Sequence, residues 1–321
     1  MTQDGKKIKT IFMGTPDFSL PALAELEKND KIELLFAVTM PDRPVGRGHK
    51  IHSPPVAEYC KSRGIKLFQT ENVNRDPEVL GSIDNSEVDM ILVLAFAQFL
   101  GSKILKAPKL GCFNIHTSIL PKYRGAAPIQ YAILNGDTVT GVSIQKMVRK
   151  MDAGDLALCQ EVKIGETETG GELYDKLKQK AGSALSDFVD LLYQGKVTYT
   201  PQDESQVSIA PTLDKEDGHL DFDSFYDTEI FNRVRALYPW PGTYFFLDGK
   251  RLKVLEAKIS SEKLKPSEIK QGAKNLIIGC KQGSLRLSKV QLEGKKACED
   301  GELINGYKGR LIITPGAVKN G

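Results

Sequence analysis

The sequence predicts an α/β fold in two parts: a doubly wound, mainly parallel sheet domain followed by a smaller β-barrel domain. Three observations carry this. The chain has 321 residues, beyond the size at which a single hydrophobic core usually stops growing. In its first two thirds, short apolar runs alternate with amphipathic stretches, the pattern of strand–helix–strand units. After about residue 210 the pattern changes to short strands punctuated by Gly and Asn, as small barrels are built.

The elements follow in order. Lys9 to Met13 is a short apolar strand, then a GTP turn and a helix with Phe18, Leu23 and Leu26 along one face. Leu34 to Val38 is a second strand. A Pro-, Gly- and Arg-rich loop follows, then a helix from about Pro54 to Arg63. Ile65 to Phe68, Met90 to Ala97 and Cys112 to Ile115 are further strands. The run MILVLAFA lacks period-two alternation, which predicts burial on both faces. Gly141 to Met147 and Leu156 to Val162 are later strands. A long helix spans about Gly171 to Tyr193, its buried stripe formed by Leu173, Leu177, Ala181, Leu185 and Phe188, and Gly195 ends it. The domain boundaries are therefore 1–195, a polar linker at 196–210, and 211–321. The last part holds one short helix, Thr228 to Leu237. Its candidate strands are Tyr244–Leu247, Leu252–Ile259, Asn275–Gly279, Leu285–Gln291 and Arg310–Ile313.

Composition excludes several classes. No apolar run approaches the roughly 20 residues that span a bilayer. The N-terminus runs straight into a strand pattern without a signal-peptide region, which predicts a cytoplasmic protein. The five cysteines, Cys60, Cys112, Cys159, Cys280 and Cys298, are scattered without a C-x-x-C pair, so reduced thiols are expected. Four histidines without ligand-pair spacing argue against a transition-metal site, and no metal is expected. The net charge of +3 is small, but residues 211–321 carry 19 basic and 15 acidic side chains against 25 and 26 in residues 1–210. The surplus lies in the C-terminal third.

The densest chemistry lies between Gly111 and Gln130, GCFNIHTSILPKYRGAAPIQ. A strand ending at Asn114–Ile115–His116 sends Asn114 and His116 to the same side of the sheet, where ligands of open α/β sheets bind. An amide and an imidazole there offer a donor for an oxyanion and a group that moves a proton. The ordinary alternative is a satisfied strand-end histidine beside an asparagine that bonds a turn. Pro121 and the Gly125–Pro128 stretch force a structured, non-helical loop. The MDAGD turn, Met151 to Asp155, places Asp152 where it can orient His116 and bias its charge. An acidic Gly-turn is also common in plain loops.

The order of these blocks is more specific than any one of them. FMGTPDFSLPAL, MPDRPVGRG, FNIHTSILPKYRGAAPIQ and KMDAGD, with Asp152 lying 36 residues beyond His116, resemble the folate-dependent formyltransferase family. The Gly14–Phe18 block, the inserted loop at Pro41–Gly48, YPWPG at Tyr238–Gly242 and QLEGKKA at Gln291–Ala297 narrow the resemblance to the branch that acts on aminoacyl-tRNA. The resemblance covers about residues 8 to 313. It implies N10-formyltetrahydrofolate as formyl donor and the α-amine of methionine on initiator methionyl-tRNA as acceptor. It also implies an OB-like fold for the β-barrel C-domain, a role for that domain in holding tRNA, and a monomer. Ser118, Ile119, Leu120 and Pro121 match the family's folate-contacting stretch, and Asn114, His116 and Asp152 match its catalytic triad. Arg43, Arg47 and Lys50 put positive charge on a loop resembling the family's basic tRNA-contacting insertion; as residues alone they read as a solvated loop. Trp240 reads as a packing residue of the C-domain.

Two departures stand out. Ala95–Gln98 is AFAQ where relatives commonly have A-Y-G and a varied residue, and the linker is less basic than in some relatives. The alternatives are formyl transfer to glycinamide ribonucleotide or an amino-sugar nucleotide, hydrolysis of formyltetrahydrofolate, and non-catalytic RNA binding.

Overall fold

The computed structural model describes residues 6–45, 50–272, 275–307 and 311–315. In chain order the elements are β1 (Ile8–Gly14), α1 (Leu20–Lys28), β2 (Ile32–Thr39), β3 (Arg43–Val45), β4 (Lys50–His52), α2 (Pro55–Arg63), β5 (Leu67–Gln69), α3 (Pro77–Asn85), β6 (Met90–Leu94), α4 (Ser102–Lys106), β7 (Gly111–His116), β8 (Arg124–Gly125) and α5 (Pro128–Leu134). They continue with β9 (Val139–Lys146), β10 (Leu156–Lys163), α6 (Gly170–Tyr193), β11 (Ile209–Ala210), α7 (Asp227–Ala236), β12 (Thr243–Leu247), β13 (Lys250–Ser260), β14 (Ile269–Gln271), β15 (Leu276–Gly279), β16 (Ser284–Leu292), β17 (Cys298–Glu299) and α8 (Asp300–Gly306). The chain divides into two units. The first draws on 1–128, 139–163 and 174–210, the second on 129–138, 164–173 and 211–321.

The first unit is built on a seven-stranded sheet in the order β10-β9-β7-β6-β1-β2-β5. The strands from β7 to β5 run parallel, and β9 and β10 join antiparallel at one side. Strand order reverses between β1 and β6, the kind of switch point beyond whose carboxyl ends open α/β sheets bind ligands. Both faces of the centre are covered, so all five residues of β6 are buried. Alternation sorts the side chains: Ile11, Met13, Ile91, Val93 and Cys112 share one core cluster with Val79, Ile83 and Ile104. Phe113, one residue on from Cys112, points the other way and packs on Phe188 of α6 with ring centroids 4.8 Å apart. Along α6 the stripe Leu173, Leu177, Ala181, Leu185 and Phe188 is wholly buried.

The strand expected over Met90–Ala97 stops at Leu94. Ala95 and Ala97 have φ of 50° and 61°, left-handed values that break the pleat. Gln98 then pins the turn by donating to the Thr70 carbonyl at 2.8 Å and accepting from the Val73 amide at 2.8 Å. The Pro41–Lys50 loop contains the three-residue strand β3 and leads into β4, which pairs with it antiparallel.

The second unit is an antiparallel sheet in the order β12-β13-β16-β15-β14, with β17 also paired to β16, consistent with a small barrel. Its inward residues, among them Phe245, Leu252, Val254, Ile278, Leu287 and Val290, form one core with Ile230 and Val234 of α7. Of the strand expected at Arg310–Ile313, Arg310 lies outside the described residues, and Ile313 makes a single antiparallel bridge to Leu247. Trp240 is 53% exposed rather than packed inside; the core is made of Phe222, Phe245 and aliphatic side chains instead. Cys60, Cys112 and Cys280 are buried, and all five thiols are free. Among the described residues no helix is long and apolar enough to cross a membrane.

Candidate active site

Strand β7 ends at His116, and its antiparallel neighbour β9 sets Gln145 opposite Asn114 and Ser143 opposite His116. The chain leaves β9 and returns as β10 through a turn that carries Asp152 back over the end of β7. Asn114, His116 and Asp152 are thereby brought together. Asp152 Oδ2 lies 3.7 Å from His116 Nδ1, and Asn114 Nδ2 lies 3.4 Å from Asp152 Oδ1. The His116 and Asp152 side chains are only 7% and 11% exposed.

His116 Nε2 is 2.8 Å from the Tyr123 carbonyl. A carbonyl only accepts, so Nε2 carries a hydrogen and donates it. In the neutral ring Nδ1 is then bare and faces the carboxylate; in the charged ring Nδ1–H points toward it. At 3.7 Å the two atoms are too far apart for a direct hydrogen bond. Nδ1 thus remains available to a reacting group.

The backbone of Asp152 has φ of 51°, uncommon for a residue with a side chain. Three stronger contacts hold it there. Gln145 Nε2 donates to Oδ1 at 2.9 Å, and the Gly125 amide donates to Oδ2 at 3.0 Å. Gln202 Nε2 donates to the backbone carbonyls of Asp152 and Gly154 at 2.9 and 2.7 Å. Gly125 must be glycine: its φ is 123°, and a Cβ there would lie 2.5 Å from the Ala210 carbonyl oxygen. A Cβ on Gly154 would collide with the Lys146 carbonyl. The glycines of RGAAP and MDAGD are therefore steric conditions of the site.

Residues 196–210 take part as well. β11 pairs in parallel with β8, and the Tyr123 amide donates to Ser208 Oγ at 2.9 Å. Arg124, 3% exposed, donates through Nε and Nη2 to Gln202 Oε1 at 3.1 and 2.8 Å and through Nη2 to Glu204 at 2.8 Å. The Arg124 and Lys150 hydrogen bonds draw the Glu204 carboxyl down to about 2. Sequence reasoning missed Gln145, Gln202 and Arg124. No local signal marks Gln145, since its place beside Asn114 comes from the antiparallel pairing of β9 with β7.

The SILP stretch is tied to β9. Ser143 Oγ donates to the Ser118 carbonyl at 2.7 Å and accepts from the Leu120 amide at 3.1 Å. Ser118 and Leu120 are buried, while Ile119 and Pro121 are partly exposed. The Leu120–Pro121 peptide bond is cis. Of the basic loop, Arg43 is exposed and lies 3.7 Å from Glu71, which offsets part of its charge. Arg47 lies outside the described residues. Lys50 opens β4. Among the described residues no cluster of His, Cys, Asp and Glu is arranged to hold a metal ion.

Residues 6–189 match the formyl transferase family model and residues 212–308 the model for the formyl transferase C-terminal domain. The methionyl-tRNA formyltransferase of Natranaerobius thermophilus is 42% identical, the match covering 94% of this chain and 97% of that one. That of Macrococcus caseolyticus is 37% identical over 95% of this chain and 97% of its own. In fold the chain is similar to a sugar 3N-formyl transferase solved with dTDP and 5-N-formyl-THF, with a TM-score of 0.68 at 19% identity, covering 91% of this chain and all of that one. A 4-N formyltransferase from Francisella tularensis gives 0.60 at 19% identity, over 80% and 99% of the two chains. With both of its units matched and its relatives matched nearly end to end, the chain belongs to the formyl transferase family.

Proposed function

We propose that this chain moves the formyl group of N10-formyltetrahydrofolate onto the α-amine of methionine carried by initiator methionyl-tRNA. The observation that carries this reading is the 42% identity, across both units, to a methionyl-tRNA formyltransferase. A sugar formyltransferase shares the fold at 19% identity, a likeness of fold alone.

The site supports a mechanism. The amine nitrogen attacks the formyl carbon, and negative charge gathers on the formyl oxygen. Asn114 Nδ2 and protonated His116, through Nδ1, donate hydrogen bonds to that oxygen; one such donor is typically worth about a hundredfold or more in rate. Asp152 holds the imidazolium opposite its Oδ2 and takes up the proton that the attacking amine gives off, directly or through water. The bond from carbon to N10 then breaks, N10 receives a proton, and the formyl amide is released. No covalent enzyme intermediate is required.

Ser118, Ile119, Leu120 and Pro121 form one wall for the folate, through backbone groups and the partly exposed Ile119 and Pro121. Arg43, Arg47 and Lys50 contact tRNA phosphates, so binding weakens as salt rises. We place the catalytic domain at 1–195, the linker at 196–210 and the tRNA-holding domain at 211–321, in a cytoplasmic monomer. One assay tests the function: the protein is incubated with N10-formyltetrahydrofolate and methionyl-tRNA, and the product is hydrolysed and searched for formyl-methionine. Formylation of a small amine or an amino-sugar nucleotide, with methionyl-tRNA untouched, overturns it.

A further inference from the structure

We propose that Gln145 is a positioning residue of the formyl transfer, its side-chain amide holding the Asp152 carboxylate so that Oδ2 alone faces His116. The inference rests on the catalytic reading of Asn114, His116 and Asp152 given above.

The Gln145 side chain is buried at 2% exposure, and both ends of its amide are committed to one turn. Nε2 donates to Asp152 Oδ1 at 2.9 Å, while Oε1 accepts from the Gly154 amide at 3.1 Å. A buried amide carries a desolvation cost unless it is paired, and here every strong contact goes to the catalytic turn. Asn114 reaches the same Oδ1 only at 3.4 Å. Gln145 therefore satisfies that oxygen and leaves the Asn114 amide free to turn toward substrate. With Oδ1 held by Gln145 and Oδ2 by the Gly125 amide at 3.0 Å, the carboxylate plane is set. Its free lone pair on Oδ2 looks toward His116 Nδ1, 3.7 Å away. A left-handed aspartate persists only where its surroundings over-determine it; the φ of 51° at Asp152 is such a case. Gln202 differs in kind, because it grips the turn's carbonyls rather than the carboxylate.

Gln145→Glu separates positioning from mere packing. The glutamate keeps the shape and the Gly154 contact. When ionised it sets an oxygen against Oδ1; when protonated it restores a donor there. Two carboxylates at one site share a proton, which raises one of the two affinities. The charged and titratable groups brought round the position are His116 from β7, Asp152 from the turn, Arg124 from β8 and Glu204 from the 196–210 segment. Wild type assayed in parallel divides out their titration.

We expect the kcat of Gln145→Glu to fall roughly ten- to hundredfold near pH 8, the range for a lost hydrogen bond to a charged group. The ratio to wild type should climb as pH falls toward 6, with KM for folate and methionyl-tRNA unchanged. Gln145→Met should lower kcat similarly with a ratio flat in pH. Wild-type kcat in both variants overturns the proposal. So does a loss that is flat in pH for Gln145→Glu, a loss expressed in KM, or failure of both variants to fold, which places Gln145 in the scaffold. Asp152→Asn is the control. If it keeps wild-type turnover, the catalytic reading itself fails; if it is inactive while both Gln145 variants are normal, only the positioning role fails.

Discussion

Asp152 and Asp300 are both withdrawn from water, with side chains 11% and 1% exposed, yet they are held in opposite ways. Asp300 faces a full cation. Arg286 donates to its two oxygens at 2.8 and 3.0 Å, and the amides of Leu276 and Gly301 supply two more bonds at 3.0 and 3.1 Å. Asp152 is held by neutral donors, and the ionisable His116 stands 3.7 Å off. Burial, the largest influence on Asp300, pushes its carboxyl up, but Arg286 and the two amides together leave it below the ordinary value. A saturated carboxylate can only hold a fold together. One with a lone pair open toward an imidazole can still exchange a proton.

The largest effect that separates them is on turnover. Asp152→Asn places an NH2 group against either the Gln145 Nε2–H or the Gly125 amide, two donors facing each other. The structural cost is about 1–2 kcal/mol, while formyl transfer should fall about a hundred- to ten-thousandfold. Steady-state kinetics and a melting curve on the same sample check both halves. Near-normal turnover would make Asp152 as structural as Asp300.

Arg286→Met is the converse and should act on stability alone. It leaves a buried charge with only backbone donors, at a cost of about 3 kcal/mol, the lower end for breaking such a pair since Arg286 is 36% exposed. Urea unfolding measures this, and kcat below the melting range should not change. The pH dependence has a definite sign. The folded pKa of Asp300 lies below its unfolded value near 3.9. Its contribution is therefore fully present above about pH 3.9 and is lost as pH falls through the lowered folded pKa. Unfolding free energies measured from pH 5 downward should fall more steeply in wild type than in Arg286→Met.

What was legible in the sequence follows the same division. Alternation along β7 places Asn114 and His116 on one side, and a Gly-bounded acidic turn marks Asp152, because strand period and turn chemistry are local. Gln145 was not legible: its meaning depends on β9 lying antiparallel beside β7, a long-range pairing. Residues 196–210 read as a polar linker since they lack periodicity, but Gln202 and Ser208 bond through side chains to another segment's backbone and leave no repeating trace. The same limit hid α8, whose first residue is Asp300. Apolar residues carried the Met90–Ala97 strand three residues too far, because hydropathy says nothing about the sign of φ.

That overrun leads to the smallest predicted effect, one that isolates backbone strain from chemistry. Ala97, like Asp152, has a side chain and a φ near +60°, but it carries no reactive group. A left-handed non-glycine residue costs about 1–2 kcal/mol, and a glycine gives back about 0.5–1 kcal/mol through the freedom it adds to the unfolded chain. Ala97→Gly should therefore stabilise the first unit by about 0–1.5 kcal/mol, read as a small rise in the urea midpoint. Asp152→Gly relieves the same backbone strain while removing the carboxylate. If Ala97→Gly is stabilising and active while Asp152→Gly is inactive, the strain at Asp152 is tolerated for what its side chain does. If Ala97→Gly also loses turnover, the AFAQ turn belongs to the reaction, and the line between scaffold and site has to be drawn wider than Asn114, His116 and Asp152.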